Sequence, residues 1–555
     1  MLPLRARNLD SRVLVRMSLA AFLVLWTAFL IMRVPVMSHF RRIAGDTLDG
    51  SLALAIEMHW SHVFNGTALS WRTTNYFFPI RDTLGYNESF FLHGVLLAIV
   101  RSCGADIFLG LQIVDWSFRA IGFASMWALA RWCFDWPRLV NVLAATLFVT
   151  ANCYYPNATI HAQFLTCNLL PLLILLQVES LRAAGGEAFY RFAGLSAIFA
   201  ALMGAVLITS YYVGFFFVLT DVLVLTLYVF VLHPCPLPFV STARRWGRYA
   251  AMQLILLALC CVPFLLIYLP KAAETGMHPL SMIALFPLRP TDVINVGPYN
   301  WLWSHFYQRA FGLLAPRWEG ALYNQTGATP ILFGLFLIGG WTLSHDRTGE
   351  WRRAILLAMW CSNLLLLAVT IRWGGVWPWA WMYRFIPGAQ GVRVISMIQL
   401  DLMIPTVLVA CSVIASFWRL AQMRSVVVLV AVLLLAEQIN DYPVFNIDRP
   451  AENAFLAKMD HVPPSCRIFF AQSSRPGPDL NTLYRHNVDS MLVAEASGIP
   501  TINGYATFLP PGWSLGHPED DGYLSNVRGW LASHAVTGPV CAVDFNSGDW
   551  TIFSD

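Results

Sequence analysis

Apolar runs recur along this 555-residue chain, at 17–35, 105–130, 139–156, 160–179, 192–210, 212–232, 249–269, 328–344, 354–371, 397–418 and 425–440. A helix of about 20 apolar residues crosses a bilayer's hydrocarbon core, and in that medium every backbone N–H and C=O must be satisfied within the segment. The pattern predicts an α-helical polytopic membrane protein with about eleven transmembrane helices. Charged residues make up 12% of the chain, against about 25% in soluble globular proteins, which excludes a soluble enzyme. The first run is too long for a signal-peptide core and reads as an uncleaved span. The shorter apolar patch 90–100 reads as an interfacial helix.

Arginine placement sets the orientation. Arg5, Arg7, Arg12 and Arg16 precede the first run, and the alternate short connections carry Arg131/Arg138, Arg182/Arg191, Arg244/Arg245/Arg248, Arg347/Arg352/Arg353 and Arg419/Arg424. The positive-inside bias puts these arginines and the N-terminus in the cytoplasm. The outer loops are then 36–104, 271–327 and 372–396, and an odd number of spans sends residues 441–555 to the same outer side. That last segment holds 6 Lys+Arg against 13 Asp+Glu, leaving 30 against 19 for residues 1–440. It is predicted to be a small α/β soluble domain, with short β-like runs at 467–471, 540–545 and 550–553 between Pro, Gly and Asn clusters. The expected home is an inner membrane of bacterial type, with residues 441–555 periplasmic. Cys466 and Cys541, the only cysteines in that segment, are a candidate disulfide if it faces an oxidising compartment.

Several outer-side residues could carry chemistry. Asp46 and Asp49, in Gly45-Asp46-Thr47-Leu48-Asp49-Gly50, lie about ten residues past the first span. A carboxylate there is placed to take a proton from an acceptor hydroxyl at the interface; it is equally placed to cap the helix that starts near Leu52. Asp82 and Glu88 lie among the aromatics of 76–88, a mixture that suits sugar contacts or an interfacial aromatic belt. His161 and Gln163 sit at the second outer turn. Arg384 and Arg393, with Arg372, run against the positive-inside trend. Arginine suits bidentate phosphate contacts, the alternative being pairing with lipid headgroups. Within the spans, Asp115 and Arg119 are spaced to neutralise each other. Asp221, Asp401 and Glu437 have no evident partner and support a proton-coupled transporter reading. No HExxH, GxxxxGK[ST] or GxSxG motif occurs, and no basic run interleaved with aromatics points to nucleic acid.

With that layout the chain resembles the GT-C superfamily of polytopic glycosyltransferases. The likeness lies in Gly45-Asp46 after the first span, the long first outer loop, the span number and the outer C-terminal segment. Arg384-Phe385-Ile386-Pro387-Gly388 with Gly391-Val392-Arg393, and Pro500-Thr501-Ile502-Asn503-Gly504-Tyr505 leading to Pro510-Pro511-Gly512-Trp513, resemble bacterial membrane proteins placed near that superfamily. The resemblance implies transfer of a sugar, with inversion, from a polyprenyl-phosphate donor to a saccharide, lipid or protein acceptor. Asp46 would be the catalytic base, Arg384 and Arg393 would hold the phosphate, Asp49, Asp82, Glu88 and His161 would contact substrate, and the 503–513 stretch would cover the acceptor side. Many members carry acidic residues in a second outer loop that support a divalent cation. The turn at 157–163 has none, so no cofactor is assigned here and a divalent cation stays an open expectation. The competing classes are a transporter or flippase of a lipid-linked saccharide and a non-catalytic envelope scaffold.

Overall fold

The computed structural model describes residues 11–68, 70–186, 188–232, 239–306, 309, 322–345, 351–476 and 484–553. Arg5, Arg7, Arg347, Cys235 and part of the 271–327 loop lie outside these residues. The described chain is mostly helical, and seven of its helices are long and apolar enough to cross a membrane: Met17–Met37, Ile107–Phe134, Ala162–Gly185, Phe189–Thr209, Tyr211–Val229, Trp351–Thr370 and Ile395–Trp418. Two further spans are bent. Arg138–Val149 and Tyr154–Ile160 meet at 51°, and Gly247–Cys260 and Val262–Thr275 at 55°. In the second pair Pro263 opens the new helix, where its missing N–H is tolerated but would break a continuous one. Counting each bent pair as one span gives nine among the described residues, against the expected eleven; the apolar runs at 328–344 and 425–440 fall on the shorter helices Pro330–His345 and Ala421–Ala436. The patch at 90–100 forms the short helix Phe91–Ser102, which lies outside that set.

Helix starts in this bundle are held by carboxylates. Asp106 accepts from Phe108 N and Leu109 N at the head of Ile107–Leu129, at 3.2 and 3.1 Å. Glu437, from a distant segment, accepts from Ile331 N at 3.0 Å and Leu332 N at 2.9 Å, and so caps Pro330–His345. Glu88 does the same for Tyr211–Leu232 through Tyr211 N and Tyr212 N. Each satisfies N–H groups that have no partner inside the helix and places negative charge at the positive end of its dipole.

The β content lies outside the bundle. β1 (Arg42–Ile43) pairs antiparallel with β2 (Ile447–Asp448), in register Arg42 to Asp448. It joins the end of the first span to the start of the C-terminal segment, beside the ion pair Arg33–Asp441 at 2.5 Å. β3 (Ile468–Ala471) runs parallel to β4 (Val540–Val543), which pairs antiparallel with β5 (Trp550–Phe553). These three strands fall on the runs read from the sequence.

Residues 441–555 are fastened to the first outer loop along its length. Thr501 N donates to Asn75 O at 2.8 Å, Phe78 N to Thr501 O at 2.9 Å, Phe77 N to Asn503 O at 3.0 Å, and Trp530 Nε1 to Phe78 O at 2.8 Å. Asn503 also accepts from Ala471 N at 2.9 Å. The 500–505 stretch is thus a splice between β3 and the loop. Its neighbour Trp513 closes the same core, donating to Ile502 O at 3.0 Å and meeting the Phe77 ring at 5.4 Å. Buried side chains of bundle and C-terminal segment form one apolar cluster, from Leu23 and Val409 to Met491 and Val527.

Cys466, just before β3, and Cys541, within β4, form a disulfide across 75 residues. The eight free cysteines among the described residues are therefore expected to react with maleimide in denaturant without reductant, and Cys466 and Cys541 to add two more after reduction. Mass spectrometry of the alkylated chain checks this count.

Candidate active site

The short turn before the Asp49–Phe64 helix sets the position of Asp46. Gly45 adopts φ +97°, and a Cβ there would lie 3.2 Å from Ile447 Cδ1 and 3.3 Å from Gly50 Cα; side-chain-bearing residues rarely adopt that conformation. Gly45 N donates to Val444 O and Asn446 N to Gly45 O, both at 2.9 Å, so the C-terminal segment clamps the turn. The following carboxyl then folds onto the helix start, where Asp46 Oδ1 accepts from Leu48 N at 3.0 Å and Gly50 N at 3.1 Å. The capping reading of Asp46 is met. One oxygen caps the helix, while Oδ2 carries no hydrogen bond to the described residues.

Three residues later Asp49 is fully engaged. Its Oδ2 lies 3.1 Å from His161 Nδ1, and its Oδ1 accepts from the Tyr484 hydroxyl. The two carboxyls are pushed apart in acidity. Burial raises Asp46 above its ordinary value, the neighbouring Asp49 charge raises it further, and the Gly50 and Leu48 amides only partly offset this. Burial raises Asp49 too, but His161, Tyr484 and Arg393 outweigh it and hold it low. Burial lowers His161; the Asp49 carboxylate and, more weakly, Asp46 overcome that and raise it above its ordinary 6.5. Divergent acidities in neighbouring carboxyls are how one site keeps one group as a proton acceptor and the other as a fixed anion.

Arg393 completes the group. Its charge acts on Asp49 and His161, its backbone N–H donates to the Tyr212 hydroxyl at 2.8 Å, and its guanidinium carbon lies 5.5 Å from the Phe286 ring centre. Nε of this arginine is buried without a hydrogen-bond partner among the described residues. The remaining sequence candidates lie elsewhere. Arg384 closes the Trp379–Phe385 helix on an exposed face, its guanidinium over Phe385. Asp82 pairs with Arg72 at 3.3 Å. Glu88 is spent on its helix cap, and burial pushes it up to about 7 despite the Tyr211 and Tyr212 amides. Asp115 and Arg119 do pair, at 3.1 Å. Glu437 is a cap, which leaves Asp221 and Asp401 on the wall of a 610 Å³ cavity with Leu170, Phe217, Val229 and Ile404.

Tyr484, Tyr505 and His278 were not singled out from the sequence. Tyr505 stacks near Tyr484, ring centres 4.1 Å apart, and had a signal only as part of the 500–505 motif. His278 is 3% exposed, its Nε2 has no partner among the described residues, and its ring lies 4.6 Å from Phe508. Burial and Arg393 push it down to about 4.

No three His, Cys, Asp or Glu side chains converge as a metal site among the described residues, and no residue here is assigned to a cation.

The Asp49–His161 pair gives a pH signature. The raised His161 contributes stability below about pH 6.5 that is lost as pH rises through its folded value. The lowered Asp49 contributes stability above about pH 3.8 that is lost as pH falls through its folded value. The melting-temperature difference between wild type and His161→Gln is thus expected to be largest between these limits and to shrink on both sides, as thermal scans across pH would show.

No family model and no curated protein matches the chain. Among solved structures it is similar to the oligosaccharyltransferase of Archaeoglobus fulgidus in the apo form, with 12% identity, covering 95% of this chain and 69% of that one at a TM-score of 0.51. The same enzyme tethered to an acceptor peptide containing the NVT sequon gives 11% identity, 95% and 68% coverage and a TM-score of 0.52. ArnT of Cupriavidus metallidurans bound to undecaprenyl phosphate gives 13% identity, 96% and 93% coverage and a TM-score of 0.37. At this level of identity the first two likenesses speak for architecture alone: the chain has the fold of that oligosaccharyltransferase.

Proposed function

We propose that this protein transfers a sugar from a polyprenyl-phosphate donor to an acceptor hydroxyl outside the cytoplasm, with inversion, and that Asp46 is the general base. The carrying observation is the paired behaviour of Asp46 and Asp49. One carboxyl keeps an oxygen uncommitted and is more basic than usual, while its neighbour is locked to His161 and Tyr484. The acceptor oxygen bonds to the anomeric carbon as the bond from that carbon to the phosphate oxygen breaks, and the acceptor proton passes to Asp46. Arg393 faces the departing phosphate, whose growing charge it offsets. A phosphate leaving group needs no proton donor, so one free carboxylate suffices.

The lipid part of the donor has a path. Arg393 is tied to Tyr212 at the top of the Tyr211–Leu232 helix, and the 610 Å³ cavity begins five residues further along, at Phe217, and follows that helix to Val229. About 18 Å of helix is covered at 1.5 Å per residue, enough for several isoprene units. Among the neighbours, one is bound to undecaprenyl phosphate and another to an acceptor peptide, which supports a lipid-linked donor and leaves saccharide, lipid and protein acceptors in play. We place the N-terminus in the cytoplasm and residues 441–555 on the periplasmic side of a bacterial inner membrane, on the arginine distribution. The shared wall of Asp221 and Asp401 is what a transporter reading would use.

Turnover of radiolabelled polyprenyl-phosphate sugars by the protein in lipid tests the proposal. Asp46→Asn is expected to lower transfer by about 10²–10⁴-fold while donor binding persists. Arg393→Ala should weaken donor binding, Arg384→Ala should leave it near wild type, and Asp221→Asn should keep transfer. Wild-type rate should fall as pH drops through a value above 3.8. Full transfer by Asp46→Asn would remove the mechanism.

Gly45→Ala forces the strained turn to move and is expected to reduce transfer almost as far as Asp46→Asn, with a wild-type level of membrane insertion. Comparing activity with the amount of folded protein recovered from membranes checks this.

A further inference from the structure

The site handles a phosphate next to two carboxylates, an arrangement that needs positive charge at short range. Arg393 supplies one cation, and its buried Nε has no protein partner among the described residues. The second source sits across the cluster. His161 ends the Tyr154–Ile160 helix, with its backbone N–H bound to Asn157 O at 2.9 Å, and its ring is fixed by two contacts. Nδ1 faces Asp49 Oδ2 at 3.1 Å, and the ring edge meets Phe164, centres 6.3 Å apart. Asp49 is itself anchored from the far side by Tyr484. A carboxylate on Nδ1 fixes the ring's orientation, and in the cationic form that the nearby carboxylates favour Nε2–H is its outward donor. That nitrogen has no hydrogen bond to the described residues.

We infer that His161, oriented by Asp49 and Tyr484, is a phosphate-binding residue that works with Arg393, so that the lipid phosphate is held by the chain's own cations and not by a divalent metal ion. The inference rests on the phosphate reading of this site. The groups facing His161 are Asp46, Asp49 and Arg393, joined through Asp49 by Tyr484. The two carboxylates favour a cationic ring, and Arg393 opposes it. A bound phosphate between His161 and Arg393 turns that repulsion into two attractions, a charge-assisted hydrogen bond from each. Among the described residues no three His, Cys, Asp or Glu side chains converge as a metal site.

The test is equilibrium binding of undecaprenyl phosphate, and separately of inorganic phosphate, to the full-length protein in lipid nanodiscs, with and without EDTA. Lipid-phosphate affinity is expected to stay within about twofold on chelation and on adding back Mn²⁺. His161→Gln should weaken it about tenfold. His161→Lys, which keeps a cation, should bind within about threefold of wild type. Wild-type affinity should fall as pH rises through the raised His161 value, and that of the Lys variant should not. Inorganic phosphate competing at similar concentrations would assign the site to free phosphate and overturn the lipid assignment. A tenfold loss on EDTA reversed by Mn²⁺, wild-type binding by His161→Gln, or equal loss in Gln and Lys variants would each overturn the role of His161. Absence of sugar transfer from every donor would defeat the transferase reading alone, because these binding arms are read without turnover.

Discussion

An apolar bundle cannot leave helix starts bare. Each helix begins with four N–H groups that have no partner in their own turn, and a lipid core offers no water to replace one. In this protein carboxylates supply part of what is missing, several of them from elsewhere in the chain. Glu437 reaches Pro330–His345 and Glu88 reaches Tyr211–Leu232, while Asp106 holds its own helix and also receives Arg449 from the C-terminal segment at 2.6 Å. These contacts fix where the outer loops lie against the bundle. Asp46 belongs to the same set. Its capping oxygen determines where the other oxygen points, so the candidate chemistry is built on a structural necessity and does not compete with it.

That economy explains which parts of the molecule were legible beforehand. Spans show as runs of apolar residues and strands as short β-branched runs, because both are local. A capping acid is not local in that sense. Glu437 reads as an unpartnered ionisable group and Glu88 as a sugar-contact candidate because they bind backbone amides more than a hundred residues away, and an amide has no identity in a sequence. Arg384 and Arg393 looked alike for a related reason. They sit nine residues apart in one loop, and only the helix Trp379–Phe385, which turns Arg384 outward, separates their roles. The strands of the C-terminal segment were readable, but its union with the first outer loop was not. The Thr501, Asn503 and Asn75 contacts are main-chain links between stretches with no complementary pattern.

The electrostatics of the site follow from crowding a few charges into partly dry space. Asp46 and Asp49 lie three residues apart at one helix start, and two adjacent anions there would repel strongly at low dielectric. The chain resolves this by giving Asp49 a cation and a hydroxyl and leaving Asp46 its amides. The outcome is one strong anion and one basic carboxyl, a division of labour imposed by neighbours and not by residue type.

The contact between Tyr484 and Asp49 joins residues separated by 435 positions. A ribosome reaches the tyrosine only after every one of the apolar helices has been made. Until then the carboxylate that faces His161 lacks its outer partner. Assembly of this cluster therefore follows assembly of the bundle, so a chain stalled before Tyr484 can sit in the membrane with its helices formed and the cluster incomplete.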